Sequence, residues 1–356
     1  MNIPEKMKAA VLKSEGRIEI ADVDVPAVGP EDVLVKVISC AVCSTDISLS
    51  KTPGPGQPGF GSFIPGHEYS GIVAAKGELV DEFHEGDRVA VEVHHGCGRC
   101  TNCRKGLYTC CLNWGNHARG HRANGMTAPG GFAQYTVNHV STLFRIPDSV
   151  THDEASLITN AGCVLYGFEL AGGYFVGDQV AVIGEGPLGL ISVQVAKTLG
   201  ADTVWLAGMD NYRMEIAEKL GADRIIDVKK DDPVAVLKKT FNSGVDFAVE
   251  ASGSDAGIRA AMKIPRWAGK VLLLGIPSGE VSLDLKEFAR GNKYLFTVRG
   301  EGWTNCGRAI SLLKNRKISL ETLISHRFPL QEINQALAVH TSSEERSIKV
   351  VVNPNG

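Results

Sequence analysis

The second half of the chain alternates strictly between short apolar runs and stretches with helical periodicity. From Asp153 onward, strands are predicted at 180–183, 204–207, 224–228, 245–250 and 270–275, and helices at 188–199, 212–220 and 256–262. Strands that are apolar on both faces and alternate with helices are typical of a parallel sheet covered on two sides. The sequence therefore predicts a doubly wound α/β domain in this region.

The first 150 residues show a different pattern. Short runs rich in β-branched residues are separated by clusters of Gly, Pro, Asp and Asn, with no convincing helical period. Strands are predicted at 8–12, 33–39, 71–75 and 88–93, and an exposed loop at 51–61, which has three prolines and four glycines. After about residue 300, a helix at 307–314 and a strand at 348–352 are expected. The amino-terminal part is predicted to be a mostly β domain.

Length and charge narrow the classes of function. A chain of 356 residues exceeds what one hydrophobic core usually holds, so two domains are expected. The 37 Lys and Arg residues face 40 Asp and Glu residues, a net charge of −3 that argues against nucleic-acid and membrane partners. The sequence has no stretch typical of a signal peptide and no run of membrane-spanning length, so the cytoplasm is the expected compartment.

A glycine-rich motif stands between the first predicted strand and the first predicted helix of the α/β region. Its sequence, Gly-Glu-Gly-Pro-Leu-Gly, permits a tight turn, close approach of the backbone to a pyrophosphate, and close packing of helix on strand. The diphosphate would lie at the positive end of the helix. The residues predicted to bind a dinucleotide cofactor here are Gly184, Gly186, Pro187, Leu188 and Gly189.

The acidic residue that usually follows such a motif by about 20 residues is missing. The position at the end of the second strand is Gly208, with Asp210 two residues on and Arg213 a turn further along. Without the carboxylate, Arg213 could pair with a 2′-phosphate, whereas Asp210 could still reach the ribose. The choice between NAD and NADP stays open.

A cysteine cluster predicts a metal site. Four thiolates at this spacing can close on one tetrahedral zinc ion, and a site with no open position is structural. The spacing does not match the bacterial ferredoxin pattern for iron–sulfur clusters, and no basic helix accompanies it. The predicted ligands are Cys97, Cys100, Cys103 and Cys111, with Cys110 spare. The neighbouring histidines are expected to be surface or loop groups, namely His94, His95, His117 and His121.

A second set of possible ligands is dispersed along the chain. Cys43 follows the predicted strand 33–39, and His67 and Glu68 precede the strand 71–75. A thiolate, an imidazole and a carboxylate that leave a fourth position open are the composition of a catalytic zinc site.

Several motifs occur in the order found in one known family. They are Cys-Ser-Thr-Asp at 43–46, Gly-His-Glu at 66–68, the four-cysteine lobe at about 94–115, Gly-Gly-Phe-Ala-Gln-Tyr at 130–135, the glycine-rich loop, and His-Arg-Phe-Pro-Leu at 326–330. With these motifs the chain resembles zinc-containing medium-chain alcohol/polyol dehydrogenases, such as sorbitol and threonine dehydrogenases. The resemblance implies a GroES-like catalytic domain (1–152 and 298–356) into which a Rossmann domain (153–297) is inserted.

The resemblance also implies roles for individual residues. Cys43 and His67 would be zinc ligands, and Glu68 would be the carboxylate that ligates zinc in polyol dehydrogenases or moves onto it in others. Thr45 would take the substrate proton. Asp46 would bind His67 and fix its tautomer.

Two positions depart from the family pattern. Where many relatives have a proton-relaying histidine, three residues after Thr45, this chain has Ser48. Where the family has a Cys or Glu zinc ligand, six residues before Tyr166, it has Asn160. Either Cys43, His67, Glu68 and water complete the zinc shell, which we favour, or Cys163 substitutes for the missing ligand.

The implied reaction is reversible hydride transfer between a secondary alcohol or polyol and NAD or NADP. The family resemblance implies two zinc ions per chain and a homodimer or homotetramer. Two alternatives stay open: a zinc-independent NAD(P)-dependent reductase of the same superfamily, and a non-catalytic dinucleotide-binding protein. The presence of Cys43, His67 and Glu68 argues against the first.

Overall fold

The computed structural model describes residues 2–173, 176–342 and 344–356. The chain divides into two compact units. Unit 1 comprises Met1–Gly162, Gly300–Lys314 and Leu323–Gly356, and unit 2 comprises Cys163–Arg299 and Asn315–Thr322. The assignment of residues 1–152 and 298–356 to a catalytic domain and of 153–297 to a cofactor domain stays a prediction.

The amino-terminal part of unit 1 consists mainly of strands. They are β1 (Lys6–Ser14), β2 (Arg17–Asp24), β3 (Asp32–Ala41), β4 (Glu68–Lys76), β5 (Arg88–Val91), β6 (His94–His95), β7 (Arg122–Ala123), β8 (Tyr135–His139) and β9 (Leu143–Arg145). The helices are α1 (Ser44–Lys51), α2 (Thr101–Arg104), α3 (His152–Ser156) and α4 (Ile158–Leu170), which continues into unit 2. The four strands predicted here are confirmed, as β1, β3, β4 and β5.

The expectation of no helix in this part was wrong for α1. Its sequence, Ser-Thr-Asp-Ile-Ser-Leu-Ser-Lys, has no apolar face for a periodicity argument to detect. The helix is instead held at its start, where the Asp46 carboxylate accepts a hydrogen bond from the backbone N–H of Cys43 at 2.9 Å. A carboxylate in the first turn also interacts favourably with the positive end of the helix.

Unit 2 contains one parallel sheet with helices. Its elements are β10 (Gln179–Ile183), α5 (Pro187–Thr198), β11 (Thr203–Gly208), α6 (Asn211–Lys219), β12 (Arg224–Asp227), α7 (Pro233–Phe241), β13 (Val245–Glu250), α8 (Asp255–Lys263), β14 (Pro265–Leu273), α9 (Leu285–Arg290) and β15 (Tyr294–Thr297). The strand order is β12-β11-β10-β13-β14-β15, and every pair is parallel. The predicted α/β sheet is confirmed, while α7, α9 and β15 were not foreseen.

The last part of the chain returns to unit 1. It supplies α10 (Asn305–Lys314), β16 (Ile324–Pro329), α11 (Ile333–Thr341) and β17 (Lys349–Asn353). Strand β17 pairs with β3 in an antiparallel manner and so joins the sheet β16-β17-β3-β4-β5-β9. Its Val350 and Val352 are buried in the same core as Val33 and Val35. Unit 1 is therefore completed by residues that follow unit 2 in the sequence.

Within the described ranges, none of the helices has the length and apolar character required to cross a membrane.

Candidate functional site

Three strand ends meet at one edge of the larger sheet of unit 1. Ala41, the last residue of β3, pairs with Glu68 of β4 on one side and with Val351 of β17 on the other. Cys43 is the second residue after β3, and His67 directly precedes β4. As a result, one potential ligand atom from each of Cys43, His67 and Glu68 lies within 4.8 Å of the others. The register of the sheet thus brings together three residues that are dispersed in the sequence.

Asp46 binds His67 and the backbone next to it. Its Oδ1 lies 3.1 Å from His67 Nδ1 and accepts the N–H of Gly66 at 3.1 Å. With Nδ1 directed at a carboxylate, the other ring nitrogen is left to face a metal ion. Burial lowers the pKa of His67, but the charges of Asp46 and Cys43 outweigh it and raise the pKa well above its ordinary value. Gly66 has φ +94°, and a Cβ there would stand 2.8 Å from the sulfur of Cys40.

Glu68 is bound through both of its carboxylate oxygens. Asn160 Nδ2 donates to Oε1 at 2.8 Å, and Lys349 Nζ donates to Oε2 and also to the carbonyl of Val42, at 3.2 Å. Glu68 and Lys349 are each only 2% exposed, so the ion pair is shielded from water. Burial lowers the pKa of Lys349, but the neighbouring carboxylate reverses this and raises it.

The structure thus places Asn160 against Glu68. Its Oδ1 is buried without a hydrogen-bond partner in the described part of the chain. The donor set of thiolate, imidazole and carboxylate that Cys43, His67 and Glu68 offer fits a zinc ion with one position open. Cys163 lies on α4 beyond the boundary of unit 1, and its role as a substitute ligand stays a prediction.

Lys349 is the residue of this site that sequence reasoning missed. The only local signal was one lysine in the apolar run Ser-Ile-Lys-Val-Val-Val at 347–352, which suggests a buried, paired cation. The pairing partner lies 281 positions away in the sequence and was not predictable without the sheet register.

Thr45 and Ser48 both belong to helix α1. Thr45 is in its first turn, two residues after Cys43, and is half-buried. Ser48 Oγ donates to the carbonyl of Ser44 at 3.1 Å, and the hydroxyl of Ser44 lies 3.3 Å from His340 Nε2. The serine that replaces the relay histidine is therefore exposed and part of a hydroxyl-rich face.

The four predicted lobe cysteines converge on one point. One sulfur from each lies within 4.8 Å of the others. Backbone N–H groups of Cys103 and Leu112 donate to the sulfur of Cys100, and Asn113 Nδ2 donates to that of Cys97 at 3.2 Å. Although burial opposes it, hydrogen bonding led by the Asn113 side chain lowers the pKa of Cys97 to about 6. Four thiolates with N–H donors fit a closed zinc site, and Cys110 is exposed.

The expectation that the neighbouring histidines are surface or loop groups was wrong for His94, which is buried on β6, whereas His121 lies in a loop but is also buried. His94 Nδ1 lies 3.4 Å from Glu301, and Tyr108 donates its hydroxyl proton to Glu92. Burial, and then the charge of Glu301, raise the pKa of Glu92 to about 9. These groups form a buried polar network next to the cysteine lobe. The sequence did not predict this network, because Glu301 is far from the other members in the chain.

The glycine-rich loop has the geometry expected of a nucleotide site. Gly184 has φ +103°, and a Cβ on Gly189 would stand 1.9 Å from the carbonyl oxygen of Gly184, so only glycine permits this packing. Gly186 caps helix α5, which begins at Pro187 and Leu188. The loop borders a groove of about 510 Å³ at the carboxyl ends of β10 and β11, where ligands of such sheets bind.

The residues considered for binding the adenosine ribose or its 2′-phosphate are Gly208, Asp210 and Arg213, and they differ in their position relative to the groove. Gly208 lines the groove. Asp210 instead caps α6, since its Oδ1 accepts the N–H of Arg213 at 2.9 Å. Among the described residues, the lining includes neither Asp210 nor Arg213, but it does include Glu185, which the sequence analysis did not single out.

Comparison with known proteins defines the class of protein. Residues 29–148 match the model of the alcohol dehydrogenase GroES-like domain, and residues 187–315 match that of the zinc-binding dehydrogenases. The chain belongs to this zinc-binding dehydrogenase family. The predicted family, fold class and enzyme class are confirmed, as is the predicted cofactor class of zinc with a nicotinamide dinucleotide.

Particular relatives span nearly the whole chain. The chain is 34% identical to an L-threonine 3-dehydrogenase of Anaeromyxobacter sp. (strain Fw109-5), over 98% of this chain and 99% of the relative. It is 32% identical to a sorbitol dehydrogenase of Bacillus subtilis (strain 168), over 99% of each. Among solved structures, a zinc-binding dehydrogenase of Sinorhizobium meliloti 1021 bound to NADP is similar, with a TM-score of 0.89, 28% identity and coverage of 99% and 100%. A 2R,3R-butanediol dehydrogenase of Bacillus subtilis is also similar, with a TM-score of 0.87 and 26% identity, over 98% of this chain and 100% of that chain.

Proposed function

We propose that this protein oxidises a small secondary alcohol or polyol, and reduces the corresponding ketone, through a zinc site formed by Cys43, His67 and Glu68. The observation that carries the proposal is the convergence of these three donors within 4.8 Å, with Asp46 binding the imidazole. The names of the relatives support the substrate class, because threonine, sorbitol and butanediol are all secondary alcohols.

The ligand residues have distinct tasks in this proposal. Cys43 and His67 are the permanent zinc ligands, and Asp46 keeps the imidazole in the orientation that offers its free nitrogen. A zinc ion held by these residues would polarise the substrate oxygen, and a bound nicotinamide would supply or accept the hydride. Glu68 is the third ligand, and its charge is shared with Lys349, which moderates its hold on the metal.

Thr45 and Ser48 handle the proton. During oxidation, the Thr45 hydroxyl accepts the proton of the alcohol while its own proton passes on toward Ser48 and water, and the transfers run in reverse during reduction. Ser48 lies one helical turn after Thr45 and is exposed, so its oxygen can accept a proton while its own proton, which is donated to the carbonyl of Ser44, leaves to water.

The proposal extends to assembly and compartment. We propose a homodimer or homotetramer, supported by β15, the last strand of the sheet of unit 2, on which Tyr294 and Leu295 are exposed. Nine cysteines, four of them around one point, support a reducing compartment such as the cytoplasm.

The test combines metal analysis with a substrate panel. The purified protein should contain two zinc ions per chain and should oxidise polyols, amino alcohols or simple secondary alcohols with NAD or NADP. Cys43→Ser should lose one zinc ion and the activity. The matched control Cys110→Ser, at an exposed cysteine outside both ligand sets, should keep both.

Dehydrogenase activity that survives complete removal of zinc would overturn the proposal. So would a Cys43→Ser variant that keeps two zinc ions and full activity. A primary-alcohol preference across the panel would refute the substrate class but not the zinc chemistry.

A further inference from the structure

We infer that Glu185 makes this enzyme select NAD(H) over NADP(H), an inference that rests on the function proposed above. The two cofactors differ by a phosphate on the 2′ position of the adenosine ribose. In dinucleotide-binding domains, an acidic residue after the second strand accepts hydrogen bonds from the ribose hydroxyls. In unit 2 this strand is β11, and it ends at Gly208, which has no side chain.

The carboxylate of Glu185 occupies the space that this missing side chain leaves. A Cβ added to Gly208 would stand 2.8 Å from Oε2 of Glu185 and 3.0 Å from its Cδ. The glycine at position 208 is therefore what allows Glu185 to lie over the end of β11. A negative charge stands at the usual place although it comes from the loop after β10.

The backbone beyond β11 fixes this carboxylate. Glu185 Oε1 accepts the N–H groups of Met209 and Asp210, each at 3.2 Å. Both bonds fall on Oε1, so the lone pairs of Oε2 remain for ribose hydroxyls. Glu185 and Gly208 both line the groove of about 510 Å³, whereas the carboxylate of Asp210 is engaged in capping α6.

The charge of Glu185 decides between the cofactors. A carboxylate that accepts hydrogen bonds from the diol favours NAD(H), and it repels a 2′-phosphate in the same place. Two exposed lysines, Lys229 and Lys230, also line the groove. Lys230 lies 2.8 Å from Asp227, and Asp231 follows directly, so acidic groups of the same segment offset the two positive charges.

The experiment measures binding and not turnover. Dissociation constants of NADH and NADPH are obtained by fluorescence titration of the zinc-loaded protein without substrate. Wild type should bind NADH at least about ten-fold more tightly than NADPH, the range of one charge-assisted hydrogen bond. Glu185→Gln should remove most of this preference, because the amide still accepts the backbone N–H groups but carries no charge.

Two further variants test whether a carboxylate at the end of β11 determines the preference for NADH: one moves the carboxylate, and the other is a matched control. The double variant Glu185→Ala with Gly208→Asp moves the carboxylate to β11 itself and should restore the NADH preference that Glu185→Ala loses. The control Glu218→Gln makes the same substitution at an exposed position of α6 that is outside the groove lining, and it should leave the NADH to NADPH ratio within about two-fold of wild type. Thermal melting of each unliganded variant verifies that it is folded.

The outcomes separate this inference from the proposed function. A wild type that binds NADPH as tightly as NADH would show that Lys229 and Lys230 outweigh Glu185, and would overturn the inference while leaving the dehydrogenase function intact. An unchanged ratio in Glu185→Gln, or an equal change in Glu218→Gln, would do the same. Failure of the wild type to bind either nucleotide would overturn both.

Discussion

Replacing Lys349 with methionine tests how the buried ion pair supports the site. Methionine keeps a long unbranched side chain but removes the cation, which leaves the Glu68 carboxylate, 2% exposed, without its ionic partner. Removing one member of a buried ion pair costs about 3–5 kcal/mol, because the remaining charge is neither solvated nor paired. For a unit of this size that corresponds to a fall in melting temperature of roughly 6–20 °C.

The assay is differential scanning calorimetry of chelator-treated protein, in which no zinc ion can replace the lost cation, and it is read as a double-mutant cycle. Lys349→Met with Glu68→Gln removes both charges, so the double variant should recover much of the stability that Lys349→Met loses. The control is Lys238→Met, which breaks a 3.2 Å ion pair between Lys238 and Glu287. Their side chains are 38% and 49% exposed, respectively. An exposed pair of this kind contributes only about 0–1 kcal/mol.

Two results would contradict the reasoning. One is a Lys349→Met variant that melts within about 2 °C of the wild type, which would mean that Glu68 finds water or another cation. The other is a double variant that is no more stable than Lys349→Met alone, which would show that packing of the lysine chain matters and its charge does not.

Three further predictions concern Asp46, Cys163 and Glu92. Asp46→Asn should reduce zinc affinity or kcat about 10- to 100-fold, as measured by chelator competition and steady-state kinetics, because the amide no longer fixes the His67 tautomer. Cys163→Ser should stay active and zinc-replete; loss of the second zinc ion would show that Cys163 is a ligand. The pKa of Glu92 is raised to about 9 in the folded protein, so folding takes up a proton, and the free energy of unfolding should fall as pH rises from about 4.5 to 9. Glu92→Gln should flatten this fall by at most about 1.4 kcal/mol per pH unit. Melting curves of both proteins across that pH range measure the difference. A pH profile that is identical in the two proteins would show that the proton is held elsewhere.

The parts of the fold that the sequence predicted are those encoded locally. The strands of unit 2 are apolar on both faces and alternate with helices, so periodicity alone identified the parallel sheet. The cysteine lobe spans 15 positions, so its ligands could be read from spacing. Helix α1 was not predicted, because its stability comes from the Asp46 carboxylate at its start and not from an apolar face that periodicity could detect.

The parts that could not be predicted depend on contacts between distant positions. The pairing of Lys349 with Glu68 requires β17 to lie beside β3, and no local pattern specifies that register. The position of Glu185 over Gly208 depends on how closely two βα loops approach each other. The ligand residues Cys43, His67 and Glu68 were identified through family resemblance, and only the sheet register shows why they meet.

The late arrival of β17 has a consequence for how the protein is made in the cell. Strand β3 is synthesised before unit 2, but its partner β17 is synthesised after it, so a sheet edge stays open during translation of residues 163–299. At the usual rate of about 5–20 residues per second, this interval lasts roughly 7–30 s. The open part is short, because β8 pairs with residues 32–36 of β3 and only Cys40 and Ala41 await β17, but an unpaired strand end can still pair with other nascent chains. The same strand order that completes the zinc site therefore creates a period in which a chaperone that shields strand edges would raise the yield of folded enzyme.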